Sequence, residues 1–501
     1  MAQRQYRLDL SKTVFPMLSE QQGRTVIGAS KEEVSSADNK PQTAYAHNVM
    51  PSRYGIDSIG YISEIPAIEP TVTNIEDARV IFGDAKSRIH LCWDDEGAVY
   101  ALLEGSGAWL ALPPTVPATG GVGFDLDDVT IGTVNGVSYI FYKAIGAFIY
   151  NEVTDELDDV TLVGLTIADI LGILSSTNYL IAYTTEAVAW SSLLTPTDFT
   201  PSQITGAGGG NVQGIGGDIK FCLANALGFL AYTDTNVIGA TYTGNKRYPF
   251  KFREVTASKG GKTLDTVAYE ANSASQFAFT KAGFQAITTQ EAKMLLPDVT
   301  DFLAGKRFED YDEVTDTFTV TDLVATMKKK IKFIASRYLV ISYGIDEFTY
   351  ALVYDTALEK LGKLKITHAD CFEYIAEQTE VSKESIAFLL SDGQVKVVDF
   401  STQTASSGVL IFGKLQFSRS RMITLLELEA ENVELGDTIT VSTRASLDGK
   451  NTTTVPSTVS YDATNIRKFV FRSTAKNHSP MFVGKFNLVS VLVHYVAGGR
   501  R

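Results

Sequence analysis

NYLIAYTTEAVAWSS (178–192) holds two apolar runs, rich in aromatic and small residues, parted by the polar turn TTE. Two such runs around a short turn read as a β-hairpin. The same reading applies to IHLCWDDEGAVYALLE (89–104), VSYIFYKAIGAFIYN (137–151) and LGFLAYTDTNVIGATY (227–242). It applies again to QFAFTKAGFQAITT (276–289), YLVISYGIDEFTYALVYD (338–355) and IAFLLSDGQVKVVDF (386–400). The turns centre near Gly97, Ile145, Glu186, Asp234, Ala282, Ile345 and Asp392, in steps of 48, 41, 48, 48, 63 and 47 residues. A hairpin alone cannot bury its own face, so units recurring every 40–50 residues or so must stack around a shared core. The expected fold is therefore all-β, a β-propeller of six or seven blades over residues 48–407. The longest step places an insertion at 291–333, mixing a short helix with strand and ending in a basic run. The first and last units are expected to share a blade.

Outside these units the texture changes. Residues 1–47 are polar and mixed and read as an N-terminal arm ordered by its neighbours. NVMPSRYGIDSIGYISEIPAIEP (48–70) is punctuated by Pro and Gly and enters the first blade. Beyond Gly408, runs such as LEAENVELGDTITVSTRA and KFVFRST alternate apolar with polar residues. Residues 408–501 are read as a separate C-terminal β-sandwich-like module.

Composition supports strands. Of 501 residues, 27 are Phe and 22 Tyr against 3 Trp, and 40 are Gly. Cys92, Cys222 and Cys371 are odd in number, far apart and set in apolar runs, which predicts buried, reduced thiols in a cytosolic setting. The opening MAQRQYRLDLSKT lacks the apolar core of a signal peptide. The most apolar candidate for a span, LTIADILGIL (165–174), is too short and contains Asp169, so no membrane insertion is expected. A net charge of −14 argues against a chain built to grip duplex DNA.

Chemistry is sparse. His47, His90, His368, His478 and His494 show no metal-binding spacing, and no CxxC or GxSxG occurs. SKGGKTLDT (258–266) resembles the tail of a phosphate loop, but Thr256 stands where that loop needs glycine, so a hairpin turn is expected. The glycines of TGAGGGNVQGIGG (205–217) read as a mobile surface loop. The acidic clusters FDLDD (124–128), DELDD (155–159) and FEDYDEVTD (308–316) lack calcium-loop spacing and read as solvated turns. No catalytic residue, cofactor or metal ligand is assigned, and no enzyme activity is expected. The basic groups Lys328, Lys329, Lys330 and Lys332, with Arg419 and Arg421, are the candidates for contacts to acidic neighbours.

Four segments carry a family resemblance: NVMPSRYGIDSIGYISEIPAI (48–68), AVAWSSLLTPTDFTPSQITGAGGG (187–210), YTGNKRYPFKFREV (242–255) and GFQAITTQEAKMLLPDVTDFL (283–303). VYDTALEKLGKL (353–364) adds to them. The chain resembles the tail hub or nozzle proteins of short-tailed bacteriophages, the packaged-DNA stabilisation proteins. That resemblance implies a homo-hexameric ring in the virion tail, assembled in the host cytoplasm. The ring would sit below the portal's tail adaptor ring, carry distal tail fibre or needle proteins, help retain the packaged genome before ejection, and surround double-stranded DNA in passage. Two rivals stand beside it: a tail-associated propeller that binds or cleaves host glycan, and a cytosolic propeller scaffold.

Overall fold

A computed structural model describes residues 3–9, 24–26, 43–52, 55–68, 74–103, 106–113, 128–256, 266–269, 273–280, 283–295, 308–312, 315, 317–321, 328–375, 384–399, 408–412, 414–416, 422–432, 439–447, 453–463 and 466–497. Six antiparallel sheets of four strands, and a further run of four antiparallel strands within a larger sheet, follow one another along the chain. They span 75–111, 129–160, 172–211, 219–254, 267–294 and 328–368, with the seventh formed by 370–399 and the strand Gly60–Ile65. We number these blades one to seven. Each of the seven hairpins read from the sequence is the second and third strand of a blade. Their apolar runs are continuous because these middle strands are covered on both faces by neighbouring blades. In blade three, for example, Tyr179–Tyr183 is buried at every position.

The first strands stand side by side around the propeller axis. Blades four and five are stapled by Gln276, whose Nε2 donates to the carbonyls of Leu223 and Ala224 at 2.8 and 2.9 Å. The ring closes through Gly60–Ile65, which supplies the outermost strand of blade seven and sets Tyr61 opposite Val398. The propeller is thus closed by hydrogen bonds between segments more than 300 residues apart in sequence.

The remaining strands build a second unit of two packed sheets. One contains Ile423–Asn432, Thr458–Ala463, Ile466–Ala475 and Asn487–Ala497; the other contains Gly408–Phe412, Thr440–Ser446 and Asn477–Gly484. Phe469 of the first meets Phe482 of the second edge to face, with ring centroids 6.4 Å apart. This unit is not built from 408–501 alone. Thr43–His47 pairs with Gly408–Phe412, Arg24–Val26 with Lys414–Gln416, and Gln3–Asp9 with Asn487–Ala497. Nor is it detached from the propeller. Val49–Pro51 and Ile56–Ser58 link the last strand of blade six to Asn487–Ala497, giving one sheet of eleven strands.

Two other expectations change. The strand Lys328–Ile334 is the first strand of blade six, so the basic run belongs to the propeller and not to an insertion. Before it lies a two-stranded hairpin, Phe308–Asp312 with Thr317–Thr321. The glycine run is no mobile loop: Gly208–Asn211 is the outermost strand of blade three, and Gln213–Gly216 is a single helical turn. At Gly209 a side chain would meet backbone, and at Gly208 it would crowd the indole of Trp190. A Cβ on Gly208 would lie 3.2 Å from the Trp190 Nε1, and one on Gly209 2.9 Å from the Val188 carbonyl. Among the described residues no helix is long and apolar enough to cross a membrane.

Candidate functional site

Lys330 and Lys332 alternate with apolar residues along a first strand, so both point to the same side. On blade one, Asp77 and Arg79 do the same, and Asp370 opens the first strand of blade seven. The five side chains converge. The Lys330 ammonium donates to Asp77 Oδ1 at 2.7 Å and stands 3.2 Å from Asp370 Oδ2. The Lys332 ammonium donates to Asp370 Oδ2 at 2.6 Å and to the Ala78 carbonyl at 2.8 Å. Arg79 Nε donates to Asp77 Oδ2 at 2.6 Å, and its Nη1 reaches the Val129 carbonyl of blade two. Backbone amides of Ala78 and Cys371 complete Asp370, each donating at 2.7 Å. Blades six and one are not neighbours, so the Lys330–Asp77 bond passes in front of blade seven and ties three blades together.

Three cations face two carboxylates in a nearly dry place; Asp77 is 3% exposed and Asp370 1%. Burial pushes the Asp77 carboxyl up, but Lys330, Arg79 and Lys332 outweigh it and hold the group well below the usual range. For Asp370 burial wins over Lys330 and Lys332, and it is raised to about 6. The pair therefore titrates as a unit, with Asp370 as the member that takes a proton first. Tyr269 of blade five sits within the field of Arg79, Lys332 and Asp77. The ion pairs these five side chains make here all lie within the chain.

This outcome corrects part of the interface expectation. Lys330 and Lys332 are committed to internal carboxylates and do not face a neighbour; their charge compensates Asp77 and Asp370. Lys328 is exposed, and Lys329 lies with its ammonium 5.8 Å from the ring centre of Phe279. Arg419 and Arg421 lie outside the described residues, as does most of SKGGKTLDT (258–266).

The histidines are mostly structural. His368 Nε2 meets Ser342 Oγ at 2.7 Å and its Nδ1 the Ile366 carbonyl at 2.8 Å, and burial lowers its pKa to about 4. Burial, aided by Arg88, lowers His90 to about 3. His494 differs. It stands across from Glu427 in the second unit, with Nε2 3.9 Å from Glu427 and 3.6 Å from Glu429. The donor atoms are close enough together to hold a metal ion. Lys468 already pairs with both carboxylates, at 3.6 and 3.2 Å. The three cysteines are buried and unpaired with one another, and burial raises Cys371 to about 12. A hollow of about 360 Å³ on blade three is lined by Leu165, Ile170, Val188 and Gly209 among others, with no charged side chain.

Two segments singled out in the sequence meet on one face. The loop 191–207 of blade three and the loop 243–249 of blade four are both third-to-fourth strand connections. A Cβ on Gly206 of the first would lie 3.7 Å from the Lys246 carbonyl of the second. Beneath them Tyr179, Trp190, Phe229 and Tyr242 all pack against Phe250. Above them Leu194, Ile204 and Tyr248 are 79, 90 and 63% exposed. Sequence reasoning quoted both loops but had no signal that they touch.

No family model and no curated protein matches the chain. Solved structures similar to it, propellers among them, align at low identity. The WD40 β-propeller domain of Doa1 aligns at 10% identity and TM-score 0.36, covering 68% of this chain and 97% of that one. YCF48 from Cyanidioschyzon merolae aligns at 10% identity and TM-score 0.38, covering 67% and 98%. The extracellular domain of the hybrid two-component system BT3049 from B. thetaiotaomicron aligns at 12% and 0.36, covering 67% and 41%.

Proposed function

We propose that the chain is a structural subunit of a short-tailed phage tail, forming a nozzle or hub ring of six copies through which DNA leaves the capsid. The observation that carries this reading is the unbroken sheet from blade six through Val49–Pro51 and Ile56–Ser58 into the two-sheet unit. A scaffold that only displays loops gains little from such continuity. A subunit that transmits force between tail neighbours gains from a backbone connection between its two units, here Lys363 with Val49 at blade six and Asn487 with Asp57 and Leu488 with Ile56 at the second unit. In this reading the propeller faces one neighbour and the two-sheet unit, which gathers segments from 1–47 and 408–501, docks to another.

The polar residues support the same assignment. Side chains of blades six, seven and one are in mutual contact around Lys330, Lys332, Asp77 and Asp370. In this reading the duplex does not run along the propeller's own axis. DNA would pass between copies, in a lumen bounded by an acidic protein that does not retain phosphate. Neighbours would be the adaptor ring above and distal fibre or needle proteins below.

Mass spectrometry and image reconstruction of purified virions test this. Six copies coaxial with the portal are expected. Absence from virions overturns the assignment, and polysaccharide turnover abolished by replacing one carboxylate would install the glycan-cleaving alternative.

A further inference from the structure

Blades two and four end in outermost strands of opposite charge. Residues 152–160, the last loop and strand of blade two, hold Glu152, Asp155, Glu156, Asp158 and Asp159 and no Lys or Arg. Residues 243–254, the equivalent part of blade four, hold Lys246, Arg247, Lys251 and Arg253 against Glu254 alone. All four cations are exposed, as are Asp158 and Asp159. Among the described residues none of them has an ion pair, although nearby charges such as Lys220 and Asp234 do. Beside each patch one apolar side chain stands in solvent: Val153 at 89% exposure on blade two, Tyr248 at 63% on blade four.

We infer that these two edges are the two halves of one contact between copies of this chain, the basic edge of blade four against the acidic edge of its neighbour's blade two. This rests on the ring reading above and names the surface it would use. Charge on an outermost strand also deters edge-to-edge pairing. That task requires neither opposite signs on two edges nor an exposed apolar side chain beside each. A contact between two different patches repeats head to tail, and it closes when the rotation between copies divides the circle. For a ring axis parallel to the propeller axis, two blades of seven set the patches about 103° apart, within about 20° of the roughly 90°, 108° and 120° that closed rings of four, five and six copies require, so a small tilt of the propeller selects among them. Both loops leave the propeller on the same face, so the patches lie at one height and the contact closes without a helical rise. The charges steer encounter and fix register, while Tyr248 and Val153 supply the apolar centre.

Charge reversal tests the pairing on the full chain, with molar mass read by light scattering at low salt. The wild type is expected to run as a closed multi-subunit particle. Lys246→Glu/Arg247→Glu and Asp158→Lys/Asp159→Lys should each reduce it to single chains, and the chain carrying all four changes should recover the particle. Every change is at an exposed side chain, so thermal midpoints should match the wild type. If a reversal lowers the midpoint, Lys246→Gln/Arg247→Gln takes its place, with at least tenfold weaker association expected. A wild type that stays single at its highest soluble concentration overturns the contact. So does a particle indifferent to either reversal, or one that the fourfold variant does not restore. A ring indifferent to the reversals leaves the tail assignment standing, whereas absence from virions removes that assignment and leaves the mass results intact.

Discussion

Tyr61 lies opposite Val398 in blade seven, so a strand that precedes blade one in sequence completes the last sheet. The ladder continues through Ile62 with Val397 and Ser63 with Lys396. Behind it Tyr61 meets Phe388 edge to face at 6.2 Å and donates to Asn48 Oδ1 at 3.0 Å. Closure therefore joins hydrogen bonding to aromatic burial at one residue.

Deleting residues 60–65 should open the ring. Blade seven would lose its outer strand, and Val398 and Ile386 would lose cover. We expect a loss of cooperativity and a markedly lower midpoint in thermal unfolding followed by circular dichroism. An unchanged transition would mean that the blades hold one another without this strand.

The axial cluster makes a second demand. Replacing Asp77 by Ala leaves Lys330, Lys332 and Arg79 facing Asp370 alone in a dry site. Removing one partner of a buried charged network costs about 3–5 kcal/mol. Replacing Lys328, which is exposed, should cost under about 0.5 kcal/mol. Urea unfolding of the two variants checks the contrast. Equal effects would show that the cluster does not hold the blades together.

Much of this was legible in sequence, and the reason is local. A hairpin such as Tyr179–Tyr183 with Ala187–Trp190 announces itself by two apolar runs and a turn, all within fifteen or so residues. Strands at sheet edges are quieter. Gly208–Asn211 is a strand because it pairs with Ala187–Trp190, a pairing that no composition rule anticipates in a glycine run. The link from blade six through Val49–Pro51 is longer range still, resting on a single pairing of Lys363 with Val49. Lys330 and Lys332 were misread for the same reason. A basic run looks solvated until Asp77 and Asp370 arrive from other blades.

Stability should also report on Asp370 through pH. Burial, with Asp77 adding to it, raises this carboxyl from 3.8 to about 6 despite Lys330 and Lys332. Between those values the folded chain keeps a proton that the unfolded chain has released. The associated stabilisation is fully present below about 3.8 and is lost as pH rises through about 6. Asp77 acts in the opposite sense: held below 3.8, it stabilises above that value and stops doing so as pH falls. Asp370→Asn should remove the first slope only. The difference in unfolding free energy between wild type and this variant should therefore drift between about pH 4 and 7 in the sense of a wild type losing ground. A difference constant across that range would contradict the raised value.

Duplex DNA provides the last prediction. The chain carries −14 overall, and in a ring of six that charge multiplies around the lumen. One exposed group of cations open to phosphate is Lys246, Arg247, Lys251 and Arg253 on blade four. If these four alone met phosphates, log K would fall with log salt at a slope of about −4. Association of the isolated chain should thus be weak, with Kd above about 1 µM at physiological salt, the ordinary non-specific range. Lys246→Glu/Arg247→Glu should halve the slope, since two of the four contacts are lost. A conduit requires this weakness, because every retained phosphate contact would hold DNA back during ejection. Fluorescence anisotropy over a salt series measures both quantities. Binding tighter than about micromolar that resists salt would show a protein made to hold DNA, and the conduit reading would fall.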